Sequence, residues 1–515
     1  MTYFGPHLQP VPTDVSVWSW LFGSALSSRK GTPQETPQLS NDRGFRDATT
    51  GRLLTYQEAR DHATWLSIAL AQLHGLKAHQ TVAIVSPNSI SCPIAMFAAG
   101  RLGAIVTTLP HEANAKDLSY FFQASSTVLV FTSESAVGQV RKACKTAGLA
   151  DERIICLSNN PQMTSIQGLI EYGKNLGPAK FVEEWTPVDK TSATCAFLYF
   201  TSGTTGRPKA VRHPKTAFLG CKFQKGSFIQ LCQMRQLSPR LKQNTVLGIL
   251  PFYHITGLVH LIHLPVVLEQ DIVIMDKFDM RKMLNTVVKY RCNELWVVPP
   301  LLIRLLNDSV VKEYNLSFVD QFNTGAAPLA EKIIAQLSAR FPHVAIRQAW
   351  GMTESTSCLT LTPPGLATWE NATKVGRIVA GTEIRFVDPE TKKDVAVGES
   401  GEVRGFGIAP AELEDLLLGH AKVRDAAIVG IPDDYSGEVP RAYIVLHPGV
   451  RRGEETERAL KEHVKSHKAR HKWLAGGVEF VDAIPKSASG KILRKSLKAK
   501  WQEKLEAEKR DSAKL

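Results

Sequence analysis

The segment Tyr199–Val211 reads YFTSGTTGRPKAV and follows an apolar run that predicts a buried strand. Gly203 and Gly206 allow backbone N–H groups to approach an anion without obstruction by a Cβ atom. Lys209 adds a positive charge suited to phosphate. Four hydroxyl side chains complete the set: Thr201, Ser202, Thr204 and Thr205. The spacing differs from the Walker pattern G-x-x-x-x-G-K-[ST]. It predicts a phosphate-binding loop of another type rather than a polar surface turn.

This segment resembles the phosphate-binding signature of the adenylate-forming (AMP-binding) superfamily, which includes acyl-CoA ligases, amino-acid adenylation domains and luciferases. Further segments resemble the family's other motifs, in the expected order. Leu250–Leu258 (LPFYHITGL) resembles the motif whose histidine lies near the acyl pocket, here His254. Asn323–Leu329 (NTGAAPL) resembles the loop that contacts adenine. In that loop the resemblance assigns Gly325, Ala326 and Ala327.

Trp350–Ser355 (WGMTES) resembles the family's aromatic-G-x-T-E motif. The resemblance implies that the Trp350 ring flanks adenine and that Gly351 belongs to the nucleotide-binding set. It also implies that Thr353 contacts phosphate and that Glu354 coordinates Mg²⁺. One short segment is therefore predicted to meet both the nucleotide and the metal.

Three segments near the end of the chain resemble the family's small C-terminal domain. Ala409–Leu417 (APAELEDLL) and Glu438–Val445 (EVPRAYIV) are similar to the coumarate–CoA ligase branch. Ile484–Lys495 (IPKSASGKILRK) resembles the terminal catalytic-lysine motif, which places that role on Lys491. The resemblance thus covers nearly the whole chain.

The resemblance implies an ATP-dependent acyl-CoA ligase that converts a carboxylic acid, ATP and CoA into acyl-CoA, AMP and pyrophosphate. Adenylation brings two anions together, so Lys491 would neutralise developing charge, with Thr353 at the phosphates. Mg²⁺ held through Glu354 would help pyrophosphate to leave. An apolar pocket near His254, Gly325 and Trp350 would suit an aryl or medium-chain acid. Such acids belong to fatty-acid, aryl-acid or secondary metabolism.

Other interpretations stay open from the sequence alone. A carrier-protein-loading adenylation enzyme is disfavoured because the chain contains no L-G-G-x-S attachment motif. A luciferase-like oxidase shares every motif. Taken singly, Lys491 fits a surface lysine, His254 a buried core histidine and Glu354 an acidic residue at a helix N-terminus.

The family pattern breaks where Gly401–Gly405 (GEVRG) runs directly into FGIAPAELE. Roughly fifty residues of that pattern are absent, including the T-G-D motif, whose Asp holds the ribose, and the R-x-K hinge. Loss of the Asp hydrogen bond, about 1.5–3 kcal/mol, would weaken ATP binding roughly tenfold or more. The junction Gly405–Gly407 spans only about 10 Å, so a large rotation of the small domain is not expected. This gap favours the alternative of a catalytically crippled or non-catalytic binding paralogue.

Short β-rich runs alternate with helical patterns from Leu53 to Ser133, as in TVAIVSP followed by SCPIAMFAAGRLG. Such alternation predicts an α/β fold with mostly parallel sheets. We expect a large body, residues 1–404, as the AMP-binding N-terminal domain with its last subdomain truncated. We expect residues 408–515 to form a small α+β C-terminal domain that holds the catalytic lysine.

The formal net charge of +13 favours anionic partners such as ATP and CoA, and no nucleic acid is required. Eight cysteines without a C-x-x-C pair indicate reduced thiols in an intracellular protein. Val246–Leu268 lacks charged residues, but its prolines and histidines predict a buried strand–loop–helix passage rather than a membrane span. Ala513–Leu515 (AKL) is a variant of the S-K-L ending. It predicts peroxisomal localisation through an import receptor; without that signal the protein would be cytoplasmic.

Overall fold

A computed structural model describes most of the chain. The described residues are 2–4, 16–22, 41–177, 195–201, 209–210, 244–327, 329–380, 382–386, 410–433, 437–468, 473–485, 497 and 501–503. The chain divides into two compact units, each with its own internal contacts. The larger unit comprises Met1–Phe200 and Ala210–Gly405, and the smaller comprises Thr201–Lys209 and Phe406–Leu515. The predicted junction at residues 401–407 lies outside the described residues.

The first sheet of the larger unit has four strands, all parallel. They are β4 (Thr81–Val85), β5 (Ile105–Leu109), β6 (Thr127–Thr132) and β7 (Ile154–Cys156), in the spatial order β5-β4-β6-β7. Every residue of β4 is buried. Helices cover the faces of parallel sheets, so such strands form continuous apolar runs, and the sequence TVAIV fits this environment.

The second sheet of the larger unit has nine strands. In chain order these are β2 (Gly44–Asp47), β3 (Leu53–Thr55), β10 (Thr245–Gly248), β11 (Asp271–Ile274), β12 (Glu294–Trp296), β13 (Gln321–Thr324), β14 (Ala345–Met352), β15 (Ser357–Leu361) and β16 (Arg377–Ile378). Their spatial order is β16-β15-β14-β13-β12-β10-β11-β2-β3. Six neighbouring strands pair in parallel, in the order β14-β13-β12-β10-β11-β2. At one end of the sheet β15 and β16 pair antiparallel, and at the other end β3 pairs antiparallel with β2.

Two short two-stranded ribbons complete the described strands of this part of the chain. β1 (Thr2–Phe4) pairs antiparallel with β17 (Glu383–Arg385). β8 (Phe200–Thr201) pairs with β9 (Lys209–Ala210), and these two strands border the predicted phosphate loop.

Helices alternate with the strands in the larger unit. They are α1 (Val17–Phe22), α2 (Tyr56–His74), α3 (Ser91–Arg101), α4 (Ala115–Ala124), α5 (Val137–Ala147), α6 (Ile166–Leu176), α7 (Leu264–Leu268), α8 (Met280–Tyr290), α9 (Pro299–Asn307) and α10 (Glu331–Arg340). The start of α2 is set by a capping box, in which Thr55 Oγ1 accepts from Glu58 N–H and Glu58 Oε2 accepts from Thr55 N–H. Gly75, at φ 63°, ends it.

The smaller unit contains a three-stranded sheet. Its strands are β18 (Val423–Asp433), β19 (Gly437–Leu446) and β20 (Val478–Phe480), with β19 in the centre. The helices α11 (Pro410–Leu418) and α12 (Glu454–His467) share an apolar core with this sheet, formed by residues such as Leu413, Ile444 and Leu460. Ile428 N–H donates to the buried Glu414 carboxylate (2.8 Å), which ties α11 to β18.

The α/β class and the mostly parallel sheets predicted from the sequence are confirmed. The uncharged stretch Val246–Leu268 forms most of strand β10, a loop, a buried π-helical turn (Gly257–His263) and helix α7. This matches the predicted buried passage. Within the ranges that the structure describes, no helix combines the length and the apolar character needed to cross a membrane.

Candidate functional site

Three of the predicted motifs lie at the carboxyl ends of parallel strands in the nine-stranded sheet. His254 follows β10, Gly325 follows β13, and Trp350 lies near the end of β14. β13 and β14 are neighbours in register, with Thr324 opposite Gln348. In open α/β sheets, ligands bind outside the carboxyl ends of the strands. The topology therefore brings these three motifs to one edge of the sheet.

The loop after β13 exposes its backbone. A Cβ atom at Gly325 would lie 2.7 Å from the Ala349 carbonyl oxygen, so only glycine fits between β13 and β14 at this point. Ala326 adopts a left-handed backbone (φ 69°), and both Ala326 and Ala327 are exposed. Small exposed residues on a tight turn leave room for a flat ligand to approach the backbone.

The Trp350–Gly351 pair lies in an irregular hairpin formed by β14 and β15. Trp350 pairs with Thr360 and Gly351 with Cys358, so the register shifts between the two residues and creates a bulge. A Cβ atom at Gly351 would lie only 1.8 Å from the Ser357 carbonyl oxygen. Bulges of this kind redirect side chains next to functional sites. Here the bulge sets the direction of the half-buried Trp350 ring.

The turn between β14 and β15 carries the predicted Thr353 and Glu354. Thr353 is buried, whereas the Glu354 side chain lies outside the described part of the structure. Ser355 Oγ accepts from Met352 N–H (3.1 Å). It also lies within donating distance of the Met352 and Ser357 carbonyl oxygens (2.9 and 2.8 Å). These hydrogen bonds connect the residues on the two sides of the turn.

The turn ends in two consecutive residues with positive φ, Thr356 (60°) and Ser357 (92°). Neither is glycine, and left-handed backbone costs an L-residue about 1–2 kcal/mol. For the β-branched Thr356 it is a genuine outlier. Strain of this kind persists only where surrounding contacts over-determine the conformation, and it concentrates at functional sites.

His254 is exposed, so the alternative of a buried core histidine is wrong for this residue. Its ring lies 4.9 Å from the Tyr253 ring, centroid to centroid. Its backbone N–H donates to Pro251 O, and its carbonyl accepts from Leu258 N–H. The predicted role near an acyl group stays a prediction.

A buried carboxylate lies beneath these motifs. Glu294, at the start of β12, is 2% exposed and accepts hydrogen bonds at both oxygens. Its donors are Trp296 Nε1 (2.9 Å), Asn323 Nδ2 (2.7 Å) and Gln321 Nε2 (3.5 Å) at Oε1, and Asn244 Nδ2 (2.9 Å) and Gln270 Nε2 (3.3 Å) at Oε2. Five neutral donors satisfy a charge that would otherwise be costly to bury.

A buried histidine connects this layer to the hairpin. His260 lies in the π-helical turn, and its Nε2 is 2.9 Å from Ser357 Oγ and 3.5 Å from Cys358 Sγ. The His260 ring stacks on Trp296, with centroids 4.2 Å apart and an interplanar angle of 21°. Burial, reinforced by the Arg347 guanidinium, lowers the pKa of His260 to about 3. The imidazole is therefore neutral at physiological pH.

Arg347 is the cation of this layer. It is 2% exposed, and its Nε donates to the Thr362 carbonyl oxygen (2.9 Å). Burial lowers its pKa, while the charge of Glu294 acts in the opposite direction. The Glu294 charge thus offsets part of the effect of burial on Arg347.

The structure leaves several predicted residues untested. Lys491 and the loop residues Ser202, Gly203, Thr204, Thr205 and Gly206 lie outside the described residues, as do the side chains of Thr201 and Lys209. Among the residues that are described, those brought to one edge of the sheet are His254, Gly325, Ala326, Ala327, Trp350, Gly351 and Thr353.

The motif comparison missed three buried polar residues: His260, Glu294 and Arg347. Sequence signals existed for two of them. His260 interrupts an uncharged apolar run, and Glu294 opens the apolar strand ELWVV. Buried charged residues are rare unless they are paired. A charged or polar residue inside a predicted buried element therefore indicates a partner elsewhere in the fold.

Known families and proteins agree with this architecture. The family described as AMP-binding enzyme matches residues 31–409, and the AMP-binding enzyme C-terminal domain matches residues 412–491. The 4-coumarate–CoA ligase-like 9 protein of Oryza sativa subsp. japonica is 30% identical over 88% of each chain. The peroxisomal OPC-8:0-CoA ligase 1 of Arabidopsis thaliana is 28% identical, over 88% of this chain and 89% of that one.

Among solved structures, the o-succinylbenzoate–CoA synthetase of Bacillus subtilis superposes with a TM-score of 0.72 at 19% identity. The superposition covers 94% of this chain and 98% of that one. At this identity the likeness establishes the fold alone. The family matches span both units and the curated relatives extend over most of the chain. This protein therefore belongs to the adenylate-forming AMP-binding enzymes, in their 4-coumarate–CoA ligase-like branch.

Proposed function

We propose that this chain is an ATP-dependent acyl-CoA ligase. It activates a carboxylic acid as an acyl-adenylate and transfers the acyl group to the thiol of CoA, releasing AMP and pyrophosphate. The main support is the β14–β15 hairpin, which holds Trp350, Gly351 and Thr353 at the carboxyl edge of the parallel sheet. That edge is where nucleotides bind in α/β folds.

The proposed roles follow the geometry where the structure describes it. Gly325, Ala326 and Ala327 offer an exposed backbone turn to the adenine, and Trp350 presents its ring from the neighbouring strand. Thr353 contacts phosphate. His254 lies on the exposed loop after β10, and its proposed role is to contact the acyl group. The loop residues Thr201–Lys209 hold the phosphates, and Lys491 neutralises the charge that develops as the carboxylate meets the α-phosphate.

Mg²⁺ fits the donor set of this site. Magnesium bound with a nucleotide usually takes one or two carboxylates together with phosphate oxygens, and Glu354 supplies one carboxylate. Across the described ranges, no cluster of three or more His, Cys, Asp or Glu side chains could hold a metal ion by itself. The proposal is therefore a metal that arrives with ATP and neutralises the departing pyrophosphate.

A second candidate function is a binding protein that no longer turns over substrate. The observation in its favour is the missing T-G-D and hinge segment after Gly405. The curated relatives that carry CoA ligase names favour the enzyme.

Hydroxamate trapping separates the two candidates. The carboxylic-acid panel would contain 4-coumarate, benzoate and octanoate, tested with this chain and with a version in which the absent segment is restored. We expect hydroxamate formation that depends on ATP and Mg²⁺ and is lost in Lys491→Ala. Formation by the unaltered chain rules out the binding protein. Formation only by the restored version marks this chain as a defective ligase. A folded restored version that adenylates no acid contradicts the ligase assignment for these acid classes.

We also propose delivery to peroxisomes through the C-terminal Ala513–Leu515 and an import receptor. The peroxisomal relative from Arabidopsis thaliana supports this, as does the similarity of AKL to the S-K-L signal. A fusion with a fluorescent protein at the N-terminus should overlap a peroxisomal marker, and deletion of Leu515 should disperse it. A dispersed signal for both fusions contradicts the proposal.

A further inference from the structure

The strained end of the β14–β15 turn needs an external anchor. Within the turn, Thr356 N–H donates to the Thr353 carbonyl oxygen (3.0 Å), and Ser355 Oγ lies 2.8 Å from the Ser357 carbonyl oxygen. These bonds and the pairing of Ser357 with Met352 in the β14–β15 ladder hold the turn within the hairpin. The Ser357 side chain adds a contact outside the hairpin, because its Oγ lies 2.9 Å from Nε2 of His260, a residue 97 positions away in sequence.

His260 is itself held rigidly. It lies in a π-helical turn, an uncommon conformation that is frequent at functional sites. Its ring stacks on Trp296, and Trp296 Nε1 donates to the buried Glu294 carboxylate (2.9 Å). His260 is also buried, with 1% exposure. A continuous chain of contacts therefore runs from Glu294 through Trp296 and His260 to Ser357.

The anchor does not change with physiological pH. Burial and the Arg347 guanidinium lower the pKa of His260 to about 3, so the imidazole is neutral at any pH at which the protein would function. A neutral ring makes the same hydrogen bond to Ser357 throughout that range. The hydrogen bond between His260 and Ser357 therefore suits a fixed support for the turn better than a pH-dependent switch.

We propose that His260 is a positioning residue for adenylation. Its hydrogen bond to Ser357 fixes the left-handed Thr356–Ser357 pair, and this pair fixes the turn that presents Thr353 and Glu354 to ATP and Mg²⁺. His260 acts through Ser357 and not by contact with the reacting atoms. This inference rests on the proposed function of the turn.

His263 provides a matched control in the same π-helical turn. It is 2% exposed, and burial lowers its pKa to about 4, as at His260. Its Nδ1 bonds the Leu258 carbonyl oxygen within the turn (2.7 Å), and its ring meets Phe97 and Phe197 edge-on. Replacement of His263 by leucine removes the buried bond to Leu258, and replacement of His260 removes the contacts of its Nε2 with Ser357 Oγ and Cys358 Sγ. Only the His260 bond reaches the hairpin.

The test compares His260→Leu, His260→Gln, Ser357→Ala, the double variant His260→Leu/Ser357→Ala, and His263→Leu. Titration calorimetry gives the Kd for ATP with Mg²⁺. ATP–pyrophosphate exchange with 4-coumarate, benzoate and octanoate gives kcat and KM. Urea unfolding gives the folded fraction to which each value is normalised.

We expect His260→Leu to weaken binding of ATP with Mg²⁺ about tenfold and to lower the exchange kcat by about tenfold to a hundredfold. The KM for the acid should stay within about twofold. Glutamine places an amide near the position of Nε2, so His260→Gln should recover at least half of the loss on a logarithmic scale. Ser357→Ala should match His260→Leu, and the double variant should be no worse than either. His263→Leu should keep the Kd and kcat within about threefold of the unaltered chain.

Three outcomes would overturn the inference while leaving the ligase assignment intact. In the first, His263→Leu and His260→Leu lower the normalised kcat equally. In the second, His260→Leu changes only the folded fraction. In the third, the effects of His260→Leu and Ser357→Ala add. If His260→Leu does not fold, His260→Gln and Ser357→Ala decide the same question. An unaltered chain that neither binds ATP with Mg²⁺ nor exchanges pyrophosphate contradicts the proposed function, and the inference with it.

Discussion

Gly351 is the residue in the candidate site whose replacement has the most predictable effect. A Cβ atom there would lie 1.8 Å from the Ser357 carbonyl oxygen, 2.5 Å from the Ser357 carbonyl carbon and 2.7 Å from Cys358 Cα. All three neighbours are backbone atoms of the facing strand, so no side-chain rotation relieves the overlap. Since Cβ contacts below 3.0 Å essentially do not occur, β14 and β15 would have to separate by about 1.2 Å in Gly351→Ala.

This displacement has two consequences. Forcing extra atoms into a packed region costs about 1–3 kcal/mol, and we expect the free energy of unfolding to fall by an amount in the upper half of that range. The same shift moves Trp350 and Thr353 away from the position that the bulge sets. A misplacement of about 1 Å costs roughly a hundredfold in rate, and we expect that loss in the normalised kcat/KM for ATP.

Gly365 supplies the matched control. It lies just beyond β15, and a Cβ atom there would have no heavy atom within 4 Å. Gly365→Ala should leave the free energy of unfolding within about 0.5 kcal/mol or raise it slightly, because alanine has less freedom in the unfolded chain. Urea unfolding followed by circular dichroism and ATP–pyrophosphate exchange per folded molecule measure both variants. A Gly351→Ala protein with the stability and exchange rate of the Gly365→Ala protein would refute the steric argument.

Three more outcomes can be measured by urea unfolding. Glu294→Gln replaces one acceptor oxygen of the buried carboxylate by an NH₂ donor that faces other donors, and we expect it to lower the free energy of unfolding by about 1–3 kcal/mol; an unchanged free energy of unfolding contradicts this. The folded-state pKa values of His260 and His263 lie at about 3 and about 4, below the ordinary 6.5. Below pH 6.5 the unfolded chain therefore binds protons that the folded chain does not bind. The free energy of unfolding should fall by about 1.4 kcal/mol per pH unit for each histidine as the pH is lowered from 6.5 to 4. In His263→Leu, the slope of the free energy of unfolding against pH should decrease by about 1.4 kcal/mol per pH unit, which corresponds to one proton. An unchanged slope excludes His263 as a source of the pH dependence. Thr356→Gly should change the free energy of unfolding by less than about 1 kcal/mol, because relief of left-handed strain offsets the lost side-chain packing. The exchange rate should fall as the turn loosens, and full activity would show that the strain is not needed.

The fold was accessible from the sequence because its elements follow simple periods. The runs between Leu53 and Ser133 alternate between apolar strands and amphipathic helices. The structure places β4, β5 and β6 there, with α2 before β4 and with α3 and α4 between the strands. Buried parallel strands need apolar residues on both faces, so the pattern is strong. The antiparallel strand β15 gave no such signal, because its sequence SCLTL is short and its direction depends on the turn before it.

The polar layer was not accessible in the same way. The donors to Glu294 come from loops and strands 2 to 50 residues away in sequence, as with Trp296 and Asn244. Secondary-structure periodicity does not encode which of these side chains meet. The apolar neighbours of Glu294 in ELWVV predict a buried strand correctly, but they leave the charge without a partner until the sheet is assembled.

The residues of the site are of two kinds: those that belong to recognisable motifs, and those that support the motifs from elsewhere in the fold. Gly325 and Gly351 belong to recognisable motifs because their task is local: each lets two backbones come close, and a Cβ atom at either position would lie under 3.0 Å from a facing carbonyl oxygen. His260 belongs to no such motif, because a hydrogen bond to Ser357 can be supplied from any element that reaches it. The left-handed Thr356–Ser357 pair connects the two kinds of residue. The strain is visible only in the backbone, and only Ser355 separates it from Glu354. A rigid turn at this point serves the roles proposed for Thr353 and Glu354.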